Sequence, residues 1–325
     1  MDKQYNKLIK EFGETNLKIN EPMNEHTSFK IGGSAQYYLT VDKIEDLIKA
    51  VVVANDLSIP YLIIGGGTNM IVSDNGIKGL VIKNNCRAFK VIDKKEIIEN
   101  QEIDESEIFI YTESGAIMNL LVRFAIDQGL SGLEYQLGLP GTIGGGIYMN
   151  SNFAGKQVFV GNNVYSATLL TKSGKLKEVN DSYFNFSYDR SILQDTHETI
   201  LSLVLRFIPE DKNILLERAM GALEYRRLRM PKEISTGFTY RNISINQSPR
   251  DMSSNDIKSA INYIEEAGFV GKSIGDVVIH EHPNFILNIG NAKSKDVVKL
   301  FAIVKEKIWN KFGIQLLMET HITGI

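Results

Sequence analysis

Two glycine clusters are the stretches of this 325-residue chain whose residue types and spacing suit a ligand. The first, Ile64-Gly65-Gly66-Gly67-Thr68-Asn69-Met70, follows the apolar run Tyr61-Leu62-Ile63-Ile64, so a buried strand empties into a turn of bare amides. Successive unhindered N–H groups form a concave nest for an anion such as a pyrophosphate. The second runs Gly138-Leu139-Pro140-Gly141-Thr142-Ile143-Gly144-Gly145-Gly146-Ile147-Tyr148-Met149-Asn150. Five glycines in thirteen residues let its backbone press against a flat or phosphorylated ligand, because no Cβ stands in the way. Either cluster alone is also what a tight turn requires. Neither has the dinucleotide-fingerprint spacing or the Gly-Lys-Ser/Thr of a P-loop. Together they point to a ligand, since each follows a largely apolar run and lacks the flanking charge of a simple surface turn.

Other chemistries find little support. The histidines, His26, His197, His280, His282 and His321, have no recurrent spacing with one another or with carboxylates, so no metal site is expected. The single cysteine, Cys86, excludes an internal disulfide and a cysteine-rich metal site. With 36 Lys plus Arg against 39 Asp plus Glu, the formal net charge of -3 makes no overall electrostatic case for nucleic acid. An anionic ligand therefore needs local basic groups. No apolar run reaches membrane-spanning length, the first residues lack a signal-peptide apolar core, and the cytoplasm is the default compartment.

The elements that position the clusters follow from periodicity. Residues 1–20 read as a charged, weakly amphipathic helix. Ala35–Val41 reads as a strand, Lys43–Asn55 as a helix with Ile44, Leu47, Ile48, Val51 and Val52 on its apolar face, and the strand feeding Gly65 follows. Strand, helix, strand implies a parallel pair with a right-handed crossover. A helix over Ile117–Gln128 ends at Gly129, a plausible C-cap, and Ser131–Tyr135 delivers the chain to the second cluster. Strands are expected over Val158–Leu170 and Glu198–Phe207, with a hairpin turn at Thr171–Lys175. Lys212–Arg229 is helical and halted by Pro231; its basic end, Arg226, Arg227 and Arg229, reads as a solvated helix terminus, with a ligand contact as the alternative. Helices over Ser254–Ala267 and Lys295–Phe312 and a terminal strand around Ile314–Ile322 complete the chain, and a linker is expected near Pro209–Asn213.

Taken in order, Ile64–Met70 with Val72-Ser73-Asp74, Gly115-Ala116, Leu133-Glu134 through Asn150, and Phe285-Ile286-Leu287-Asn288 with Gly290-Asn291-Ala292 resemble the UDP-N-acetylenolpyruvoylglucosamine reductase (MurB) family over roughly residues 20–324. No tyrosine-bearing loop insertion is present, which matches the shorter, second type. The resemblance implies an α+β protein: a two-lobed FAD-binding α/β domain of the MurB/vanillyl-alcohol-oxidase type over residues 1–80 and 81–209, and a C-terminal α+β substrate domain over 213–325 whose last strand returns to the site. It implies FAD contacts at Gly65, Gly66, Gly67, Thr68, Asn69, Gly115, Ala116, Gly138, Pro140, Gly141, Thr142, Gly145 and Gly146. NADPH is the implied reductant and an enolpyruvyl UDP-sugar the implied substrate, with no nucleic-acid or membrane partner.

For catalysis the resemblance places the family's glutamate at Glu319, within Leu317-Met318-Glu319-Thr320-His321. The family's Tyr-Arg-x-Ser element appears as Tyr188-Asp189-Arg190-Ser191, with Arg190 one place late, and in an extended strand that shift reverses its face. In Ser235-Thr236-Gly237-Phe238 the proton-donating serine is replaced by Phe238, whose ring has no exchangeable proton. The proline that ends this element is absent, with Ile243 nearby. Thr236, Thr239, Tyr240 or a water is left to donate, and Tyr240 is the named candidate. A flavin-binding paralogue that has lost the reductase step, or acts on another substrate, is the alternative.

Overall fold

A computed structural model describes residues 3–97, 103–243 and 259–324. By its internal contacts the chain divides into two units. The first comprises Met1–Ile19, Tyr37–Gly66 and Gly79–Leu228, the second Asn20–Gln36, Gly67–Lys78 and Arg229–Ile325.

The amino-terminal helix is shorter than its charge pattern suggests. Helix α1 (Lys3–Phe12) stops at Gly13 (φ +77°), and Leu17–Pro22 is strand β1. Only one α1 residue, Leu8, is fully buried, so little packing exists to carry the helix further. Strand β2 (Ser34–Val41), helix α2 (Ile44–Asp56) and strand β3 (Tyr61–Ile64) match the expected strand, helix, strand order. Helix α2 buries Leu47, Ala50, Val51, Val53 and Ala54, whereas Val52, assigned to the apolar face, is exposed. The expected direct β2 and β3 pair does not form. After β4 (Met70–Val72), strand β5 (Ile77–Asn84) inserts between them, giving the order β1-β2-β5-β3, and β3 runs parallel to β5 with Ile64 opposite Lys83.

Next along the chain come β6 (Phe89–Ile92), β7 (Ile108–Glu113), α3 (Met118–Asp127) and β8 (Leu130–Ser131). Helix α3 buries Met118, Leu121, Val122, Ala125 and Ile126 at helical spacing and ends at Gly129 (φ +68°) just past its cap, as expected. Helix α4 (Ile143–Met149) forms inside the second glycine cluster, followed by short strands β9 (Asn152–Phe153) and β10 (Val158–Phe159). The long strand expected over 158–170 is thus interrupted by a 3-10 turn at Val160–Asn163 and resumes as β11 (Val164–Leu170). Its hairpin to β12 (Leu176–Asn180) turns through Gly174 (φ +79°). After α5 (Leu193–Thr196), β13 (Thr199–Pro209) completes an antiparallel sheet of order β12-β11-β13-β7-β6, with β8 also on β13. Helix α6 (Lys212–Arg229) has the predicted span. One core of this unit gathers Leu121, Ile147, Val164, Phe184, Leu205 and Leu215; another lies under α2, around Leu39, Leu47 and Leu80.

The second unit is built on an antiparallel sheet of order β14-β17-β16-β15, from β14 (Ile234–Phe238), β15 (Ser273–Ile274), β16 (Val277–Ile279) and β17 (Phe285–Asn288). Helix α7 (Ala260–Glu266) is the described part of the helix expected over Ser254–Ala267, residues 254–258 lying outside the described residues. Helix α8 (Ser294–Phe312) buries Val297, Leu300, Phe301, Val304 and Ile308 in a helical stripe and is closed by Gly313 (φ +67°). The terminal strand is much shorter than Ile314–Ile322: β18 (His321–Thr323) pairs in parallel with β4. Ile314 and Leu316 are instead buried singly in the unit's core, beside Tyr240 and Phe301.

Leu47 makes the α2 packing testable. It is fully buried, so Leu47→Ala removes apolar contact and leaves a cavity; urea unfolding should show a loss of about 2–5 kcal/mol.

Candidate active site

In the first unit Gly65, which opens the first glycine cluster, meets Thr142 of the second. Strand β3 brings Gly65 against Thr142 so closely that a Cβ at position 65 would collide with the threonine hydroxyl. Thr142 caps α4, its Oγ1 accepting from the Gly145 amide at 3.3 Å. Backbone bonds lace this segment to Gly115 and Ala116: Ile143 N donates to Ala116 O at 2.9 Å, Gly144 N to Ser114 O at 2.9 Å, and Met118 N to Gly141 O at 3.0 Å. Gly115, just past β7, packs against the end of β5, where a Cβ would sit 2.6 Å from Cys86 O and 2.7 Å from Asn84 Oδ1. Gly146 fits beneath Met118, its missing Cβ 2.8 Å from Cε. Sequence therefore chose glycine here for close approach of backbone to neighbours as well as for any ligand.

The donors of the first cluster are unspent. The amides of Gly66, Gly67, Thr68 and Asn69 donate to no acceptor among the described residues. Unpaired backbone N–H groups are rare in folded chains, so a run of four marks a place for water or an anion. Gly66 and Gly145 are the exposed glycines of the two clusters.

Helix α6 holds the entry to the second cluster. Arg226, expected at a solvated helix end, donates from Nη1 to the carbonyls of Tyr135 and Leu137, each at 2.8 Å, and lies over the Phe153 ring. Its side chain also fills the space beside Gly138 (φ +88°). Burial lowers its pKa to about 10, which still leaves it charged at neutral pH. Arg218 forks onto Glu210 and touches Glu134, a buried carboxylate that accepts from the Gly132 amide at 2.7 Å. Arg227 and Arg229 are exposed, as the sequence suggests, and Arg227 pairs with Glu224 at the surface. The missed signal was that Arg226 falls on the same helix face as Ala219 and Ala222, which are buried.

At the other end of α4, Asn150 (φ +47°) donates through Nδ2 to Ser187 O at 2.9 Å and accepts from Gly161 N at 3.1 Å. The Tyr188–Ser191 stretch turns instead of extending: Asp189 is left-handed (φ +51°), Ser187 and Arg190 form an isolated bridge, and Ser191 Oγ donates to Tyr148 O at 2.7 Å. Arg190 is exposed and forks onto Asp195 at 2.6 and 2.9 Å. Cys86 is buried and inert, burial pushing its thiol up to about 12.

In the second unit, Glu319 sits where β18 begins. Its amide donates to Thr239 O at 2.9 Å, its carbonyl accepts from Asn69 Nδ2 at 3.2 Å, and His321 N donates to Asn69 O at 3.1 Å. Thr320 Oγ1 donates to Phe238 O at 3.0 Å and lies 3.3 Å from Thr236 Oγ1. Phe238 is 36% exposed and packs on Phe285 and His282, with centroids 4.8 and 5.8 Å away. Of the hydroxyls expected to replace the serine, Thr239 and Tyr240 have no hydrogen-bond partner among the described residues. Tyr240 is 3% exposed, lies edge-on to Phe301 in the apolar core, and burial raises its pKa well above the ordinary phenol value. Burial lowers the His282 pKa, and no cluster of His, Cys, Asp and Glu that could hold a metal occurs among the described residues.

Known proteins share this arrangement. Residues 35–180 match the family described as FAD binding domain, and residues 230–323 match the one described as UDP-N-acetylenolpyruvoylglucosamine reductase, C-terminal domain. The UDP-N-acetylenolpyruvoylglucosamine reductase of Clostridium botulinum (strain 657 / Type Ba4) is 31% identical over 99% of this chain and 98% of its own length. That of Clostridium tetani (strain Massachusetts / E88) is 30% identical over 98% and 95%. The crystal structure of the same reductase from Thermus caldophilus superposes with a TM-score of 0.69 at 26% identity, covering 94% of this chain and 97% of that one. An FAD-binding domain with bare-amide glycine loops, joined to this carboxy-terminal domain, makes the protein a flavin-dependent oxidoreductase. Within that class, the chain belongs to the UDP-N-acetylenolpyruvoylglucosamine reductase family.

The residues present fit such a cofactor, since the bare amides after Gly65 are unspent donors for an anion and the loop's shape depends on glycine at 65 and 115, where a Cβ would strike Thr142 and Cys86. Gly65→Ala should weaken FAD at least about tenfold in a fluorescence titration, whereas Gly221→Ala in α6, with open space around its Cβ, should leave it unchanged. Arg226→Leu strands two carbonyls and should cost about 2–4 kcal/mol in denaturant unfolding. Tyr240→Phe removes a buried, unpartnered hydroxyl, so its thermal midpoint should equal or exceed that of the parent.

Proposed function

We propose that the chain holds FAD and uses NADPH to reduce UDP-N-acetylenolpyruvoylglucosamine to UDP-N-acetylmuramate, a cytoplasmic step of peptidoglycan synthesis. The observation that carries this reading is the meeting of Gly65 with the Thr142 cap, which joins the start of the first glycine cluster to the second. In this assignment residues 1–80 and 81–209 serve the flavin and residues 213–325 the UDP-sugar. Gly65 to Asn69 hold the cofactor's anionic part, with Gly115, Ala116, Gly138, Pro140, Gly141, Thr142, Gly145 and Gly146 lining the rest. Bound FAD supplies the hydride for the enolpyruvyl double bond.

The chain's own residues handle charge and protons. Hydride arriving at the methylene carbon of the enolpyruvyl group pushes negative charge onto the carbon next to the substrate carboxylate, and that same carbon then needs a proton. Glu319 is fixed through its amide and carbonyl, so its position is set by backbone. Tyr240 is the proposed donor in place of the absent serine, acting as a neutral phenol. Arg190 is the proposed contact for the substrate carboxylate. Its partner Asp195 is a surface carboxylate, and exposed pairs contribute only about 0–1 kcal/mol, so release from it costs little.

A second reading, a flavin-binding relative that has lost this step or reduces another compound, is favoured by one observation: the Phe238 ring stands where the family pattern has a hydroxyl. NADPH oxidation by the purified protein separates them. The reductase reading expects the sugar nucleotide to accelerate turnover; bound flavin whose turnover never responds to it leaves the second reading. In an active enzyme, Glu319→Gln and Tyr240→Phe should each lower turnover about 10²–10⁴-fold while flavin reduction by NADPH persists, and unchanged turnover would dismiss the residue concerned.

A further inference from the structure

Lys83 is a cation for which the described residues provide no counter-charge. It lies on β5 opposite Ile64, and its ammonium turns back to donate to the carbonyl of Gly65. The side chain is partly buried, and among the described residues no carboxylate lies within ion-pair distance of it. Arg87, four residues on, likewise meets no carboxylate among the described residues; its Nη2 donates to Asn85 Oδ1 at 2.9 Å. The strand end that carries both cations is the one against which Gly115 is packed.

A partly desolvated ammonium on one neutral acceptor is costly, and folded chains normally pair such a group. Desolvation, followed by the like charge of Arg87, lowers the Lys83 pKa, so the charged form is held at a disadvantage that an anion would remove. An ammonium carries three donors, and the Gly65 carbonyl takes one of them. The remaining donors stand at the residue whose missing Cβ admits Thr142, that is, at the junction of the two glycine clusters. We propose that Lys83 is the cationic contact for the diphosphate of FAD, binding one phosphate oxygen while its bond to Gly65 keeps the loop in shape. This rests on the reading that the chain holds FAD. It adds the local basic group that a nearly neutral chain needs for such a ligand.

The test compares two flavins that share a ring and differ in phosphate. Flavin-depleted full-length protein is titrated with FAD and with riboflavin, following flavin fluorescence at several salt concentrations, for the parent, Lys83→Met and Lys83→Arg. Lys83→Met should raise the FAD dissociation constant about tenfold or more and flatten its salt dependence, leave riboflavin unchanged, and melt within a few degrees of the parent. Lys83→Arg should keep FAD within about threefold of the parent, which separates charge from folding. An unchanged FAD constant in Lys83→Met, or equal weakening of both flavins, overturns the proposal, the second result placing Lys83 on the ring or in the loop's own structure. A parent that binds riboflavin as tightly as FAD also overturns it while leaving flavin binding intact. A parent that takes up neither flavin overturns the FAD reading itself and the proposal with it.

Discussion

The close approach of Gly65 to Thr142 is the constraint on which the first unit depends. It is possible only without a Cβ at position 65, and it demands that β3 end where α4 begins. Both demands are met by backbone hydrogen bonding. Parallel pairing with β5 fixes the end of β3, and the bonds from Ile143, Gly144 and Met118 fix the start of α4 against Gly115 and Ala116. Side chains then brace the arrangement from behind, Arg226 through two carbonyls and Asn150 through Ser187 and Gly161. Binding energy for a large flat cofactor is best used when the cradle is already formed, since each loop ordered on binding subtracts from affinity.

Much of this was legible in the sequence because it is local. Helices α3, α6 and α8 follow from their spacing and stop signals, and the two glycine clusters announce themselves by composition. Non-local pairing was not legible. Nothing in residues 35–64 shows that β5 inserts between β2 and β3, because strand order is decided by contacts far apart in the chain. The same holds at the terminus, where Ile314–Leu316 looks like strand by composition but is spent on core packing, Met318 makes an isolated bridge to Tyr240, and His321–Thr323 pairs as a strand with β4. Arg226 was misread for a related reason: a basic cluster at a helix end looks solvated until the segment packed against that helix is known.

The catalytic half shows how far residue matching reaches. Position 189 is a left-handed aspartate, so the shift of Arg190 is realised as a tight turn in place of a reversed strand face. Position 238 presents an aromatic ring whose neighbours, Phe285 and His282, complete a small group of mutually tilted rings. Around it the carbonyl and amide network of Thr239, Thr320 and Glu319 is closed. Backbone positioning at this place therefore stands even though the side chain differs, which is why family membership and the identity of the proton donor are separate questions.

The flavin content of the purified chain tests the central claim most directly. Denaturing the protein and quantifying the released cofactor should give FAD close to one per chain, and protein stripped of it should take it up again. A colourless protein that releases no FAD and binds none when supplied would contradict the account, because two glycine clusters held together by Gly65 and Thr142 would then be a structural turn and nothing more.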